Sequence, residues 1–206
     1  MRCSHRYCRQ CVVISCLLAT ISAGAGCTTT YTARRTENLP VVPLEGKVPI
    51  RLGLYMQPQV REYTTATSGL RLKPGGSLGE GIEALMRSLF SGVFLLGSMS
   101  SANSADLDAI LMVDILGSDF DEGYGGYVYN ILVGYTVTDL EGRILWSESI
   151  LGTGKRSFAA NLIKRVYSDC MRLAIEDNLD NTLASMMNNQ WWRPLLEGQQ
   201  QSPEGD

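Results

Sequence analysis

From Tyr127 to Thr138 the chain alternates so regularly that it reads as an extended strand with two unlike faces. One face carries Tyr127, Tyr129, Ile131, Val133, Tyr135 and Val137; the other carries Val128, Asn130, Leu132, Gly134, Thr136 and Thr138. The turn Asp139-Leu140-Glu141-Gly142-Arg143 follows, and Ile144 to Leu151 reads as the partner strand of a hairpin. A two-stranded hairpin is marginal alone in water, so another part of the chain must cover its apolar face.

Two stretches can supply that cover. Ser77-Leu78-Gly79-Glu80 has the form of a capping box, in which Ser77 and Glu80 satisfy the orphan amides of a helix start. Leu78, Ile82, Leu85, Met86, Leu89, Phe90 and Val93 then share one helical face, with the helix ending near Gly92 and a brief strand over Val93 to Leu96. From Ser157 onward, Phe158, Leu162, Ile163, Val166, Cys170, Ala174 and Leu179 recur at helical spacing as far as Leu183 and Met187. So long a run predicts a break near Ser168. Further strands are expected over Val48 to Met56, Val60 to Thr65 and the largely buried Leu107 to Leu116. The expected fold is α+β, a two-layer sandwich of two amphipathic helices on a mixed or antiparallel sheet of about four to five strands. It forms one domain over residues 47–190, and residues 191–206 are expected to be a mostly disordered tail.

The N-terminus follows another logic. Arg2, Arg6 and Arg9 precede an apolar run from Cys11 to Ala19, which ends in the small residues Ser22-Ala23-Gly24-Ala25-Gly26 and then Cys27. A basic head, a short apolar run and a small-residue exit form a secretory signal peptide, here residues 1–26. Ending on a cysteine, the stretch resembles the bacterial lipoprotein signal. That resemblance implies lipidation of Cys27, which becomes the first mature residue. An ordinary signal cut near Ala25 and an uncleaved anchor are the alternatives, the latter short of the ~20 apolar residues a spanning helix needs. Residues 27–46, polar with Pro40 and Pro43, are expected to tether the domain to the membrane.

Removing residues 1–26 takes away three arginines and no acid, which moves the formal charge from −3 to −6. A net-acidic chain is a poor partner for nucleic acid. The only histidine, His5, leaves with the signal, and so do all cysteines except Cys27 and Cys170. A mature chain without histidine builds no Ser-His or Cys-His nucleophile pair and no ordinary zinc site. Carboxylate-only hydrolysis stays open if two of Asp106, Asp108, Asp114, Asp119 and Asp121 converge, but no catalytic residue, metal or cofactor is expected.

The remaining clusters have ordinary readings. Pro74 to Gly81 is Gly-rich at a helix start, where phosphate can bind, but it lacks the Lys-Ser/Thr pair of a P-loop. Asp119-Phe120-Asp121-Glu122-Gly123 loosely resembles a calcium loop without its closing Glu and reads as an acidic loop tip. Asp106, Asp108 and Asp114, at even spacing, fall on one side of a strand. Trp191-Trp192 fits packing of a helix end, or else a lipid interface. The tyrosines Tyr127, Tyr129 and Tyr135 are core by default and a partner-binding surface as the livelier alternative.

The order of elements resembles the small outer-membrane lipoproteins with a helix-on-sheet domain. The nearest are the lipopolysaccharide-assembly (LptE-like) group, then the YajG-like and transport-auxiliary lipoproteins. The resemblance rests on Val48 to Met56, Leu78 to Phe90, Ala105-Asp106-Leu107, Tyr129 to Arg143, Gly152-Thr153-Gly154 and the final helix. It implies a non-enzymatic accessory, docked on an envelope protein and anchored in the outer membrane, since Thr28 rather than Asp follows the cysteine. A binding module for a lipid or glycan is the alternative.

Overall fold

The structure, a computed structural model, describes residues 28–42, 46–67, 69–104, 106–123, 125–157 and 163–200. The signal peptide, Cys27, Phe158, Leu162 and residues 201–206 lie outside them. Among the described residues the strands are β1 (Thr29–Thr32), β2 (Val48–Met56), β3 (Thr65–Thr67), β4 (Leu70–Lys73), β5 (Phe90–Leu96), β6 (Ala109–Gly123), β7 (Gly126–Thr138) and β8 (Ile144–Arg156). The helices are α1 (Pro58–Arg61), α2 (Gly75–Leu89), α3 (Ile163–Asn189) and α4 (Arg193–Gln200), with a 3-10 turn at Met99–Ser104.

The class is α+β, with two mixed sheets. The larger runs β5-β2-β6-β7-β8, in which β2 pairs in parallel with β5 and β6 while β6, β7 and β8 are antiparallel neighbours. The smaller, β1-β4-β3, is an addition to the expected sandwich. Registers place Leu52 beside Ala109, Leu54 beside Leu111, Leu111 beside Val137 and Val133 beside Ile150, all buried on one face. Leu78, Ile82, Leu85, Met86 and Leu89 of α2, with Cys170, Met171, Ala174, Ile175 and Leu179 of α3, join them in one core.

Several boundaries differ from expectation, most of them because a tertiary contact decides them. The capping box does not form: α2 starts at Gly75 without a side-chain cap, and Ser77 instead donates its hydroxyl to the Ala33 carbonyl at 3.0 Å. Helix α2 stops at Leu89 rather than Gly92, because Phe90 turns extended and pairs with Val48. In place of a strand over Val60 to Thr65, Pro58 opens a single helical turn, the position where a missing N–H costs nothing. Strand β6 continues past Leu116 to Gly123, through an irregularity between Ile115 and Gly117, because β7 pairs with it throughout. No break occurs at Ser168: α3 is continuous for 27 residues, and the Ser168 hydroxyl donates outward to the Thr32 carbonyl at 2.8 Å. A helix of 27 residues and a strand of 13 are each about 40 Å long, so α3 covers β7 from end to end.

The seam between α3 and β8 is the tightest contact. A Cβ on Gly152 would meet the Ala174 carbonyl, and one on Gly154 the Cys170 carbonyl. Two glycines on the inward face therefore let helix backbone lie against strand backbone. Asn178 locks the seam, accepting from the Tyr135 hydroxyl at 2.6 Å and donating to the Ile150 carbonyl at 2.7 Å. At the far end of the hairpin, Asp139 accepts from the Glu141 and Arg143 amides at 3.0 and 2.8 Å, and Gly142 takes the left-handed φ of 85°. Gly154→Ala should destabilise the domain by about 1–3 kcal/mol, the range for overpacking. Gly125→Ala, in open space, should change stability by less than about 0.5 kcal/mol, both read by chemical denaturation.

Candidate attachment and docking surfaces

The segment after Cys27, expected to be a tether, enters the domain at once. Thr29 donates its amide to the Gly69 carbonyl at 3.2 Å, β1 pairs in parallel with β4, and the Ala33 amide reaches Lys73 at 3.1 Å. The chain then follows α3: Arg34 pairs with Asp169 at 3.4 Å, and Arg35 with Glu80 at 3.0 Å. The amides of Glu37 and Asn38 both donate to Glu176, at 2.9 and 3.1 Å. The overlooked signal was Thr29-Thr30-Tyr31-Thr32, a β-prone run whose polarity reads as linker.

Glu176 is the clasp of this strap. Burial alone would raise its pKa, but the Asn38 and Glu37 amides and the Arg172 guanidinium, 2.8 Å away, outweigh burial and hold the carboxyl below its ordinary value. A depressed native pKa stabilises above the unfolded value near 4.5, and the contribution disappears as pH falls through the native one.

The tyrosine ladder is not a surface. Tyr129 and Tyr135 are fully buried and Tyr127 nearly so, because α3 lies across the face they share. Tyr127 packs with Phe120 and Tyr167, at ring distances of 5.9 and 5.4 Å. Burial pushes the Tyr129 and Tyr135 phenols upward, as expected of groups that stay neutral in a core.

The carboxylates serve structural roles. Asp106 and Asp108 both hold Arg51, and Asp108 also accepts the Arg51 amide at 2.7 Å. Asp114 accepts its neighbour's amide at 2.9 Å, and Asp119 accepts from Asn130 at 3.1 Å. Asp119 to Gly123 form strand rather than loop tip, so their side chains alternate between faces. Among the described residues, no group of three His, Cys, Asp or Glu side chains could hold a metal ion. Trp191 and Trp192, expected near a disordered tail, are buried against Phe90 at 5.6 and 5.8 Å, and α4 continues beyond them. Cys170 is buried, and burial pushes its thiol up to about 11.

The opposite face of the larger sheet is the open one. Leu116 (52% exposed) lies on it and lines a cleft of about 320 Å³ with Tyr55, Met112, Asp114 and Thr136, while Leu151 (52%) and Phe94 (47%) are exposed apolar side chains outside that cleft. Leu96, Ala102, Leu107 and Ile110 close one end of this face as a small second core. Leu116 escapes a period-2 reading because it sits at the strand irregularity, where its side chain packs over Gly134. No described helix is long and apolar enough to cross a membrane.

No protein-family model matches the chain, and no curated protein matches it. Solved structures with a similar course include a Xanthomonas campestris protein of the DUF330 family, at TM-score 0.48 and 14% identity, covering 79% of this chain and 98% of that one. An Acinetobacter baumannii minor lipoprotein aligns at TM-score 0.38 and 10% identity, covering 68% and 94%. The Neisseria meningitidis lipoprotein GNA1162 aligns at 0.35 and 13%, covering 68% and 96%. At these scores the likenesses carry no inference about this chain, and the functional reading rests on its own residues.

Acidification below about pH 4.5 should lower the protection of the Glu37 and Asn38 amides in hydrogen exchange, while the Tyr135 region stays protected. Glu176→Gln should show the low-pH pattern at neutral pH.

Proposed function

We propose that the protein is a lipid-anchored, non-enzymatic accessory of the bacterial cell envelope. It attaches through Cys27 to the periplasmic side of the outer membrane and docks on another envelope protein. The carrying observation is the open sheet face, where Leu116 lines a cleft and Leu151 and Phe94 expose further apolar surface, while the other face is filled by helices. The strap, the tyrosines and the carboxylates Asp106, Asp108, Asp114 and Asp119 help hold the domain together, which supports a docking module over a catalyst. The alternative of a lipid or glycan held between helix and sheet has little room, because α3 backbone touches β8 at Gly152 and Gly154.

Photo-crosslinkers placed at Leu116 and Leu151 in intact cells should trap one envelope protein, and a crosslinker at Arg87, on the helical side, should not. Leu151→Lys should weaken the adduct from a crosslinker at position 116, and Leu116→Lys the adduct from one at 151, with the unfolding midpoint unchanged. Trapping that is equal at all three positions, or absent, would sink the docking assignment.

A further inference from the structure

Where the chain enters the domain determines which end of the domain meets the membrane, given the attachment at Cys27 proposed above. Thr29 is already in β1, and two residues of extended chain span at most about 7 Å. Entry lies beside the β6–β7 hairpin: the Tyr31 ring is 4.7 Å from that of Tyr167, which is 5.4 Å from Tyr127. From there the strap runs along α3, from Thr32 at Ser168 to Glu37 and Asn38 at Glu176. Helix α3 travels the same way, with Cys170 at the Tyr127 carbonyl, Asn178 at Tyr135 and Ser185 at Glu148. Traced backwards, the strap therefore leaves the domain at the hairpin end. The Asp139–Arg143 turn lies at the other end of β7, about 40 Å away.

The geometry points to a lipid-facing surface: the β6–β7 hairpin end, with Gly125 at its tip, rests on the bilayer, and the Asp139–Arg143 turn faces away from it. The chemistry of that end fits phospholipid headgroups. Arg71, Arg156 and Arg165 are exposed there, and no ion pair among the described residues engages them. Asp121 and Glu122 on the same hairpin offset part of that charge, so the short covalent connection sets the orientation more than electrostatics does. The clasp at Glu176 and the β1–β4 pairing leave no slack for the domain to swing away.

The test uses the full-length, lipidated protein in phosphatidylethanolamine–phosphatidylglycerol vesicles that carry a headgroup-attached quencher. Gly125→Cys and Leu140→Cys are each labelled with a fluorescent maleimide; Cys170, buried with its thiol pushed up to about 11, stays unlabelled. Fluorescence should be strongly quenched at position 125 and unaffected at 140. A Gly/Ser insertion of about 12 residues between Thr28 and Thr29, with ends about 19 Å apart, should relieve the quenching at 125. Equal quenching at both positions, stronger quenching at 140, or quenching indifferent to the insertion would overturn the orientation while the mass of the diacyl adduct on Cys27 still upheld the anchor. Absence of that adduct would overturn the attachment itself, and the orientation with it.

Discussion

The architecture depends on backbone-to-backbone contact between α3 and β8. Gly152 and Gly154 remove the side chains that would hold helix and sheet apart, and the carbonyls of Ala174 and Cys170 occupy the space. Close approach of this kind is self-reinforcing in a packed interior, because each side chain along the seam then gains contacts on both flanks. Asn178 makes the seam specific. A buried amide that served only the Tyr135 hydroxyl or only the Ile150 carbonyl would leave a polar group stranded, so the helix has one register in which both are satisfied.

The other side of α3 organises the N-terminus. Ser168, Asp169 and Glu176 each meet the segment between Thr29 and Asn38, so one helix closes the sheet and fastens the strap. That arrangement ties attachment to fold. A chain anchored at Cys27 would not carry its domain on a loose leash, since β1 begins two residues later and is held by β4. The Glu176 clasp and the Asn178 lock are separate sets of hydrogen bonds on one helix, so strap and seam are held independently.

The sheet then presents unlike surfaces. The helix-covered face is closed by aromatic and aliphatic side chains, with the tyrosine phenols kept neutral by burial. The opposite face is only partly closed, by the small cluster around Leu107 and Ile110, and leaves Leu116 and Leu151 exposed. That remaining apolar area is the part of the larger sheet that the fold leaves uncovered.

Local chemistry in the sequence determined the strands Val48–Met56 and Gly126–Thr138, the Asp139–Arg143 turn, the apolar stripes of α2 and α3 and the α+β class, because period 2, period 3.6 and turn residues act over a few neighbours. Period 2 distinguishes two faces but does not say which one a helix will cover. The tyrosines, core by default, therefore keep a surface reading open until α3 is seen lying over them. Ser77, Ser168 and the Thr29–Thr32 run were misread for a related reason: each bonds to a residue far away in sequence, at Ala33, Thr32 and β4. Tertiary structure alone decided those pairings, because a polar side chain or a short β-prone run acquires its role from whichever partner the fold brings within hydrogen-bond reach.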